Sequence, residues 1–299
     1  GVGAWRALAV PIYDVSTDAE AGAFLADAGC RRVFVSRAHL AAVRAMAKGA
    51  ELDVFLLDGD GERDGARSWR ALLAETAEAL PDLDPGAPNV LLYTSGTTGA
   101  PKGVVRPTAG HLVALNWTMK NIYNVDPGDV FWAASDVGWV VGHSYICYAP
   151  LIHGNTTVVF EGKPVGTPDA GAFWRVISEH KVRSFFTAPT AFRAIKREDP
   201  KGEFIKKYDL SCLRALYLAA ERADPDTIEW AQDVMGVPVY DHWWQTETGY
   251  TIVGNPAGIE ALPVKIGSPT VAMPGYDVQI LDEAGREKGP NELGAIAVK

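Results

Sequence analysis

Short apolar runs alternate with amphipathic stretches along the first sixty residues of the chain. The apolar runs, which favour strands, are RALAVPIY, RRVFV and DVFLLD. The stretches with helical spacing between them are AEAGAFLADAG and SRAHLAAVRAMAKG. Gly29 and Gly49 are suitable helix stops, and Ser36 is a suitable N-cap. This strand–helix–strand rhythm predicts a parallel sheet with helices on its faces.

The alternation resumes after a polar, turn-rich stretch at residues 59–88, which we interpret as a linker. Strands are predicted at NVLLYTS, DVFWAAS, TTVVF, SFFTAP, ALYLAA and VPVYDHW, and helices within VVRPTAGHLVALNWTMKNIYNV and AGAFWRVISEH. From about Thr251, short runs alternate with Gly/Pro turns, which is typical of a β-rich subdomain. We therefore predict an α/β protein in three parts, at residues 1–88, 89–250 and 251–299.

Composition narrows the possible functions. With 47% hydrophobic and 22% charged residues, the 299-residue chain resembles soluble globular proteins. A net charge of −9 without a basic block provides no electrostatic footprint for nucleic acid. The cysteines are far apart and lack metal spacing, which favours reduced thiols. Asp136 and His143 interrupt the richest apolar stretch, so we expect no membrane span and a cytoplasmic location.

Both ends of the chain lie inside apolar runs, RALAVPIY near the start and GAIAVK at the end. Chain termini are usually polar and frayed. We therefore expect the chain to be a fragment of a longer protein.

A glycine-rich segment, YTSGTTGAPKG, occupies Tyr93 to Gly103 and follows a predicted strand, with a predicted helix after it. Glycines let backbone N–H groups converge on an anion, while hydroxyls and a lysine add donors. The Walker pattern does not fit, because Pro101 stands where its second glycine is needed and Gly103 replaces the metal-binding hydroxyl. The residues themselves leave open a phosphate-binding loop or an ordinary flexible loop.

The same segment closely resembles the phosphate-binding signature of the adenylate-forming acyl-CoA synthetase superfamily, [YT]-x-S-G-[TS]-T-G-x-P-K-G. Two further segments follow in the family's order. SDVGWVVGHSY, at 135–145, resembles the segment that lines the carboxylic-acid pocket. YDHWWQTETG, at 240–249, resembles the acid- and nucleotide-binding motif of the short-chain branch, which includes propionyl-CoA and acetyl-CoA synthetases. The resemblance implies the large N-terminal domain of such an enzyme, with layered sheets and flanking helices.

The resemblance also implies a reaction in two halves. A small carboxylic acid attacks the α-phosphate of ATP, pyrophosphate leaves, and the thiol of coenzyme A then displaces AMP from the acyl-adenylate. Such chemistry needs positioning and charge neutralisation more than a general base. The implied ligands are ATP, Mg²⁺, coenzyme A and the acid, with neither nucleic acid nor membrane as a partner.

By this resemblance, the donors to the β- and γ-phosphates are Thr94, Ser95, Thr97, Thr98 and Lys102, with Gly96 and Gly99 permitting close approach. Glu247 corresponds to the Mg²⁺ ligand and Thr246 to a partner of the α-phosphate, so that Lys102, Thr246 and Glu247 are the candidate catalytic residues. The structural alternatives are a solvated lysine at Lys102 and the first turn of a short helix at Thr246 and Glu247.

The implied contacts to adenine and AMP are Ala220, Glu221, Arg222, Asp241, His242, Trp243, Gln245 and Thr246. For His242 we expect a contact and no catalytic role. Ala220 departs from the family pattern, since glycine is usual there and alanine does not easily adopt positive φ.

The implied acid pocket consists of Trp139, Val140, Val141, His143, Ala219 and Trp244. Trp244 would close the pocket and exclude fatty acids. Acetate-specific members tend to carry threonine in place of Val141 and valine in place of Ala219. The pocket should thus suit one additional methylene, worth about 0.8 kcal/mol when buried, which favours propionate over acetate. The structural alternative is that Trp139 and Val141 are ordinary core residues.

The family's ribose-binding Thr-Gly-Asp segment, its hinge and its C-terminal lysine are expected after Lys299, so we expect the 299 residues alone to adenylate poorly. Two other functions stay open on the sequence. One is a non-catalytic nucleotide-binding module, and the other is an adenylating enzyme that loads a different thiol acceptor.

Overall fold

The computed structural model describes residues 17–46, 51–58, 64–71, 88–93 and 103–299, together with positions 10 and 12. They belong to two compact units, Gly1–Gly110 and His111–Lys299. The predicted division into three parts remains a prediction.

The first unit contains a small parallel sheet, as predicted. Its elements are α1 (Asp18–Asp27), β1 (Arg32–Val35), α2 (Leu40–Met46), β2 (Asp53–Leu56) and β3 (Arg67–Ser68), with a 3-10 turn at Arg37–His39 before α2. The strand order is β1-β2-β3, and both pairings are parallel. Val35, Leu40, Val54 and Leu56 form its core. The linker interpretation is wrong at β3, which lies within residues 59–88 and pairs with β2.

Two antiparallel strands flank the glycine-rich segment. They are β4 (Pro88–Tyr93) and β5 (Gly103–Pro107), with Tyr93 opposite Gly103. Helix α3 (Thr108–Asn121) begins only after β5. The predicted strand–loop–helix order is therefore wrong. Two β-branched valines follow Gly103, and Pro107 lacks the N–H that a helix interior requires. Residues 94–102 lie outside the described residues.

The second unit is built on a five-stranded sheet in the order β10-β9-β8-β6-β7, in which every pairing is parallel. The strands are β6 (Val130–Ala133), β7 (Thr156–Thr157), β8 (Ser184–Thr187), β9 (Ala215–Leu218) and β10 (Val239–Asp241). The helices are a π-helix (Gly142–Tyr148), α4 (Ala149–His153), α5 (Ala172–His180), α6 (Pro189–Glu198) and α7 (Pro225–Met235), with a 3-10 turn at Ile205–Lys207. Among the described residues, no helix is both long and apolar enough to span a bilayer.

Side chains of this sheet alternate between two hydrophobic cores. One core joins α5, α6 and α7 to Trp132, Phe185, Leu216 and Val239. The other joins α3 and the π-helix to Phe131, Phe186, Tyr217 and Tyr240. Apolar residues on both faces are the pattern of a parallel sheet covered by helices. The predicted α/β architecture is thereby confirmed for this unit.

Short antiparallel pairs follow after residue 250. They are β11 (Val253–Gly254) with β12 (Val271–Ala272), and β13 (Val278–Leu281) with β14 (Ala295–Val298).

Gly142 begins the π-helix at a point of close backbone contact. A Cβ atom there would lie 1.9 Å from the Asp136 carbonyl oxygen and 2.4 Å from the Val137 Cα. Only glycine fits without moving the loop that leads into the π-helix. This contact therefore constrains how the chain after β6 enters the π-helix, a constraint that sequence analysis missed.

We predict that Gly142→Ala lowers the free energy of unfolding by about 2–3 kcal/mol, because backbone must move to admit the methyl group. Denaturant unfolding measures the change. Gly110→Ala is the matched control, since its Cβ would lie 3.6 Å from Pro107 in ordinary contact. Equal midpoints for Gly142→Ala and wild type would contradict the close contact.

Candidate active site

The carboxyl ends of β9 and β10 bring two predicted site segments together. Leu218 and Asp241 are paired at the ends of these parallel strands. The residues that follow, 219–222 and 242–247, therefore begin at the same edge of the sheet. In open α/β sheets, ligands bind at this edge.

His242 links the two strand ends from inside the protein. Its side chain is buried, and Nδ1 lies 2.5 Å from the carbonyl oxygen of Leu218. Because a carbonyl only accepts, Nδ1 carries the proton and Nε2 accepts from the hydroxyl of Tyr123 at 3.0 Å. Burial lowers the pKa of His242 to about 4, so the ring is neutral near pH 7. Both nitrogens are engaged with the protein, which gives this ring a structural role; its predicted contact with AMP remains a prediction.

Most of the predicted acid-pocket residues meet in one hydrophobic cluster. Buried Val141 and Ala219 belong to it, and half-buried Val140 and Trp244 pack against it. The Trp244 ring meets Tyr145 edge-on, with centroids 5.7 Å apart. The structure therefore places these four residues in the same hydrophobic cluster; their role as an acid pocket remains a prediction.

Trp139 and His143 are not members of this hydrophobic cluster. Trp139 is 45% exposed, so the alternative that it is a core residue is wrong. His143 is buried and lies edge-on to Tyr148, with ring centroids 6.0 Å apart. Their roles in acid binding stay predictions.

The carboxyl group of Asp241 has a raised pKa. Burial raises its pKa to about 6, and a hydrogen bond from the His242 backbone only partly opposes this. The carboxyl is half-buried at the end of β10. At neutral pH it is ionised but poorly hydrated.

Ala220 adopts the backbone conformation that its residue type disfavours. Its φ is +82°, in the left-handed region, although alanine there costs about 1–2 kcal/mol. The turn thus has the conformation open to glycine, in spite of the substitution. Ala220, Glu221 and Arg222 are exposed, directly beyond buried Ala219.

The carboxylate of Glu221 is held by helix α6. Oε1 accepts from the backbone N–H of Thr190 at 2.7 Å, and Oε2 accepts from Arg193 Nη2 at 2.6 Å. These contacts were missed by sequence analysis, because both partners lie about thirty positions away and no short motif indicates them.

Thr246 and Glu247 lie in a tight turn and do not begin a helix, so the short-helix alternative is wrong. The N–H groups of Thr248 and Gly249 donate to the Gln245 carbonyl at 3.2 and 3.1 Å. The Thr248 hydroxyl lies 3.0 Å from the same carbonyl. Glu247 is exposed and Thr246 half-buried at the apex. Trp243, just before the turn, is half-buried and its N–H donates to the Val253 carbonyl at 2.8 Å.

The predicted phosphate-binding residues, Thr94 to Gly99 and Lys102, lie outside the described residues. Within the described part of the chain, no group of three or more His, Cys, Asp or Glu could hold a metal ion. The predicted magnesium ligand is a single carboxylate, Glu247, which hard Mg²⁺ accepts when phosphate oxygens complete its shell.

A parallel sheet with candidate ligand-binding turns at the carboxyl ends of its strands is typical of open α/β proteins that bind ligands at this edge. The model of the AMP-binding enzyme family matches residues 1–299, and the chain belongs to this family.

Its relatives include named synthetases. The mitochondrial acyl-CoA synthetase short-chain family member 3 of Mus musculus is 56% identical over 213 residues, covering 71% of this chain and 31% of that protein. The propionate–CoA ligase of Escherichia coli is 47% identical over 218 residues, covering 73% of this chain and 34% of that ligase. The chain spans about a third of the length of these curated relatives.

A crystal structure of a Brucella canis acyl-CoA synthetase superposes with a TM-score of 0.86 at 32% identity, covering 99% of this chain and 53% of that one. The resemblance to the short-chain acyl-CoA synthetases and the α/β fold predicted from it are confirmed.

We predict that Asp241 makes stability fall as pH rises. The folded protein keeps this proton up to about pH 6, whereas the unfolded chain releases it near the ordinary 3.8. Between these values the folded state binds more protons, so the free energy of unfolding falls by about 1 kcal/mol from pH 5 to pH 7. Denaturant unfolding at both pH values measures this slope.

Asp241→Asn should lack this part of the pH dependence. Asp233→Asn, an exposed position on α7, is the control and should keep the wild-type slope. An unchanged slope in Asp241→Asn would rule out the perturbed carboxyl.

Proposed function

We propose that this chain is part of an ATP-dependent short-chain acyl-CoA synthetase that activates propionate. An oxygen of the carboxylate attacks the α-phosphorus of ATP, and the bond to pyrophosphate breaks. The sulfur of coenzyme A then attacks the acyl carbon and loses its proton, and AMP leaves. The names of the mouse and Escherichia coli relatives support this substrate class.

The observation that carries the proposal is an apolar cluster that is followed in the chain by a polar turn. Val141, Ala219 and Trp244 pack in one cluster, and the Thr246–Glu247 turn begins two residues after Trp244. A small acid with its alkyl end in the cluster would therefore have its carboxylate close to the turn. Positioning of two reactants in this way is the main requirement of adenylation.

Mg²⁺ fits Glu247 on chemical grounds, because an exposed carboxylate is a ligand that this hard cation prefers. When bound, the ion would neutralise phosphate charge. Thr246 would offer a hydroxyl to the α-phosphate, and Asp241 would face the adenine. By the family resemblance, the donors predicted within residues 94–102 would bind phosphate oxygens. A cytoplasmic location remains an inference from composition.

The conformation of Ala220 removes one sequence argument for lost function. The sequence argument for lost function rests partly on alanine replacing glycine in this turn. Ala220 has positive φ nevertheless, which is the conformation that glycine would adopt readily at this position.

We predict that the full-length protein containing this chain releases pyrophosphate from ATP only when an acid is added, most rapidly with propionate among acetate, propionate and butyrate. Glu247→Gln should lower this rate by about a hundredfold, as expected when charge stabilisation at a phosphate is lost. A coupled pyrophosphate assay measures both.

Glu229→Gln, at an exposed position on α7, is the matched control and should behave as wild type. Release of pyrophosphate without added acid would contradict the synthetase proposal. Acid-dependent release without consumption of coenzyme A would point to another thiol acceptor.

We predict that Ala219→Val shortens the acid pocket. The ratio of kcat/KM for propionate to that for acetate should fall by about fourfold, since one buried methylene is worth about 0.8 kcal/mol. Val141→Thr is a second variant that keeps the volume and adds a hydroxyl. An unchanged ratio in Ala219→Val would place the acyl chain elsewhere.

A further inference from the structure

The turn between β9 and α7 holds a conformation that its own residues do not favour. Ala220 has a φ of +82°, whereas alanine normally takes negative φ. The turn starts at the carboxyl edge of the sheet, where the proposed nucleotide would bind. Contacts from outside the turn must therefore keep Ala220 in place.

The first of these contacts is made by Glu221, directly after Ala220. Its carboxylate accepts from Thr190 N–H at 2.7 Å and from Arg193 Nη2 at 2.6 Å. Thr190 lies in the first turn of α6, where backbone N–H groups lack helical partners and favour a carboxylate. The side chain next to the strained residue is thereby fixed on α6.

Asp224 makes the second contact at the other end of the turn. Its Oδ1 accepts from Thr227 N–H at 2.9 Å, which caps α7. Its Oδ2 lies 3.3 Å from Arg193 Nη1. One guanidinium therefore joins the carboxylates of Glu221 and Asp224. The hydrogen bond to Glu221 is the main reason that the pKa of Arg193 is raised further.

We propose that Arg193 is a positioning residue for the nucleotide. By tying Glu221 to Asp224, its guanidinium keeps Ala220 in the left-handed conformation and holds the backbone of the turn at the carboxyl edge. Arg193 acts through the turn and does not itself touch the ligand. This inference rests on the proposed function in one respect, namely that a nucleotide binds at this edge.

The exposure of the Arg193 and Glu221 side chains distinguishes positioning of the turn from stabilisation of the whole fold. The Arg193 and Glu221 side chains are 37% and 35% exposed. The stabilisation from a pair at such positions is modest, and the strain at Ala220 offsets it, so its net contribution to the free energy of unfolding is small. Without the guanidinium, Ala220 relaxes toward negative φ and only a fraction of molecules keeps the binding conformation. The apparent Kd for the nucleotide rises as that fraction falls.

The test measures AMP binding by calorimetry in the full-length protein. Arg193→Gln should raise the Kd for AMP about tenfold, with a melting temperature close to that of wild type. Arg193→Lys should fall between the two, since one ammonium cannot replace a planar fork that spans two carboxylates. Lys196→Gln is the matched control, because Lys196 pairs with Asp226 between the same two helices without touching the turn.

Ala220→Gly in the Arg193→Gln background provides the decisive readout. Glycine takes positive φ without restraint, so the double variant should bind AMP within about threefold of wild type. A purely structural role for Arg193 would leave the double variant as weak as Arg193→Gln. That result, or a wild-type Kd in Arg193→Gln, overturns the proposal.

AMP binding needs no acid, which separates this inference from the proposed function. A protein that binds AMP with the expected variant pattern but releases no pyrophosphate with any acid refutes the synthetase proposal alone. A wild-type protein that binds no AMP refutes both.

Discussion

The buried imidazole of His242 is the contact on which the rest of the candidate site depends. It stands at the end of β10, donates to the Leu218 carbonyl at the end of β9, and accepts from the Tyr123 hydroxyl. Burial keeps the ring neutral, and only one tautomer satisfies both partners. The two strand ends are thus joined by a side chain as well as by backbone hydrogen bonds. The distance between the ends of β9 and β10 is therefore fixed, and so is the distance between the starts of the two turns that follow them.

The aromatic cluster around Tyr123 connects His242 to the residues of the proposed acid pocket. Tyr123 packs edge-on against Tyr145, with centroids 5.1 Å apart, and Tyr145 packs in the same way against Trp244. Interiors packed in this manner tolerate little adjustment in volume. The length of acid that the pocket accepts would then depend on the small side chains of Val141 and Ala219, and less on movement of the aromatic wall.

The parallel sheet could be predicted because its strands are apolar on both faces and alternate with helical stretches. The order of the strands could not, since it depends on pairings between distant residues. Local patterns also failed at Gly142, where a contact with the Asp136 backbone selects glycine. At Ala220 the intrinsic preference of alanine indicated a departure, but contacts made by Glu221 with α6 outweigh that preference. Such conflicts between local preference and tertiary structure are expected at functional sites.

The ionised carboxylate of Asp241 indicates which end of a nucleotide would bind beside it in the proposed site. Because burial raises its pKa to about 6, this carboxylate is ionised yet poorly hydrated at neutral pH. Such a group gains from a neutral N–H donor and repels a phosphate. A nucleotide would therefore bind with its base toward Asp241 and its phosphates toward Glu247, where a bound metal ion would offset the repulsion between like charges. The net charge of −9 does not oppose this arrangement, since local donors can override the overall charge where an anion binds.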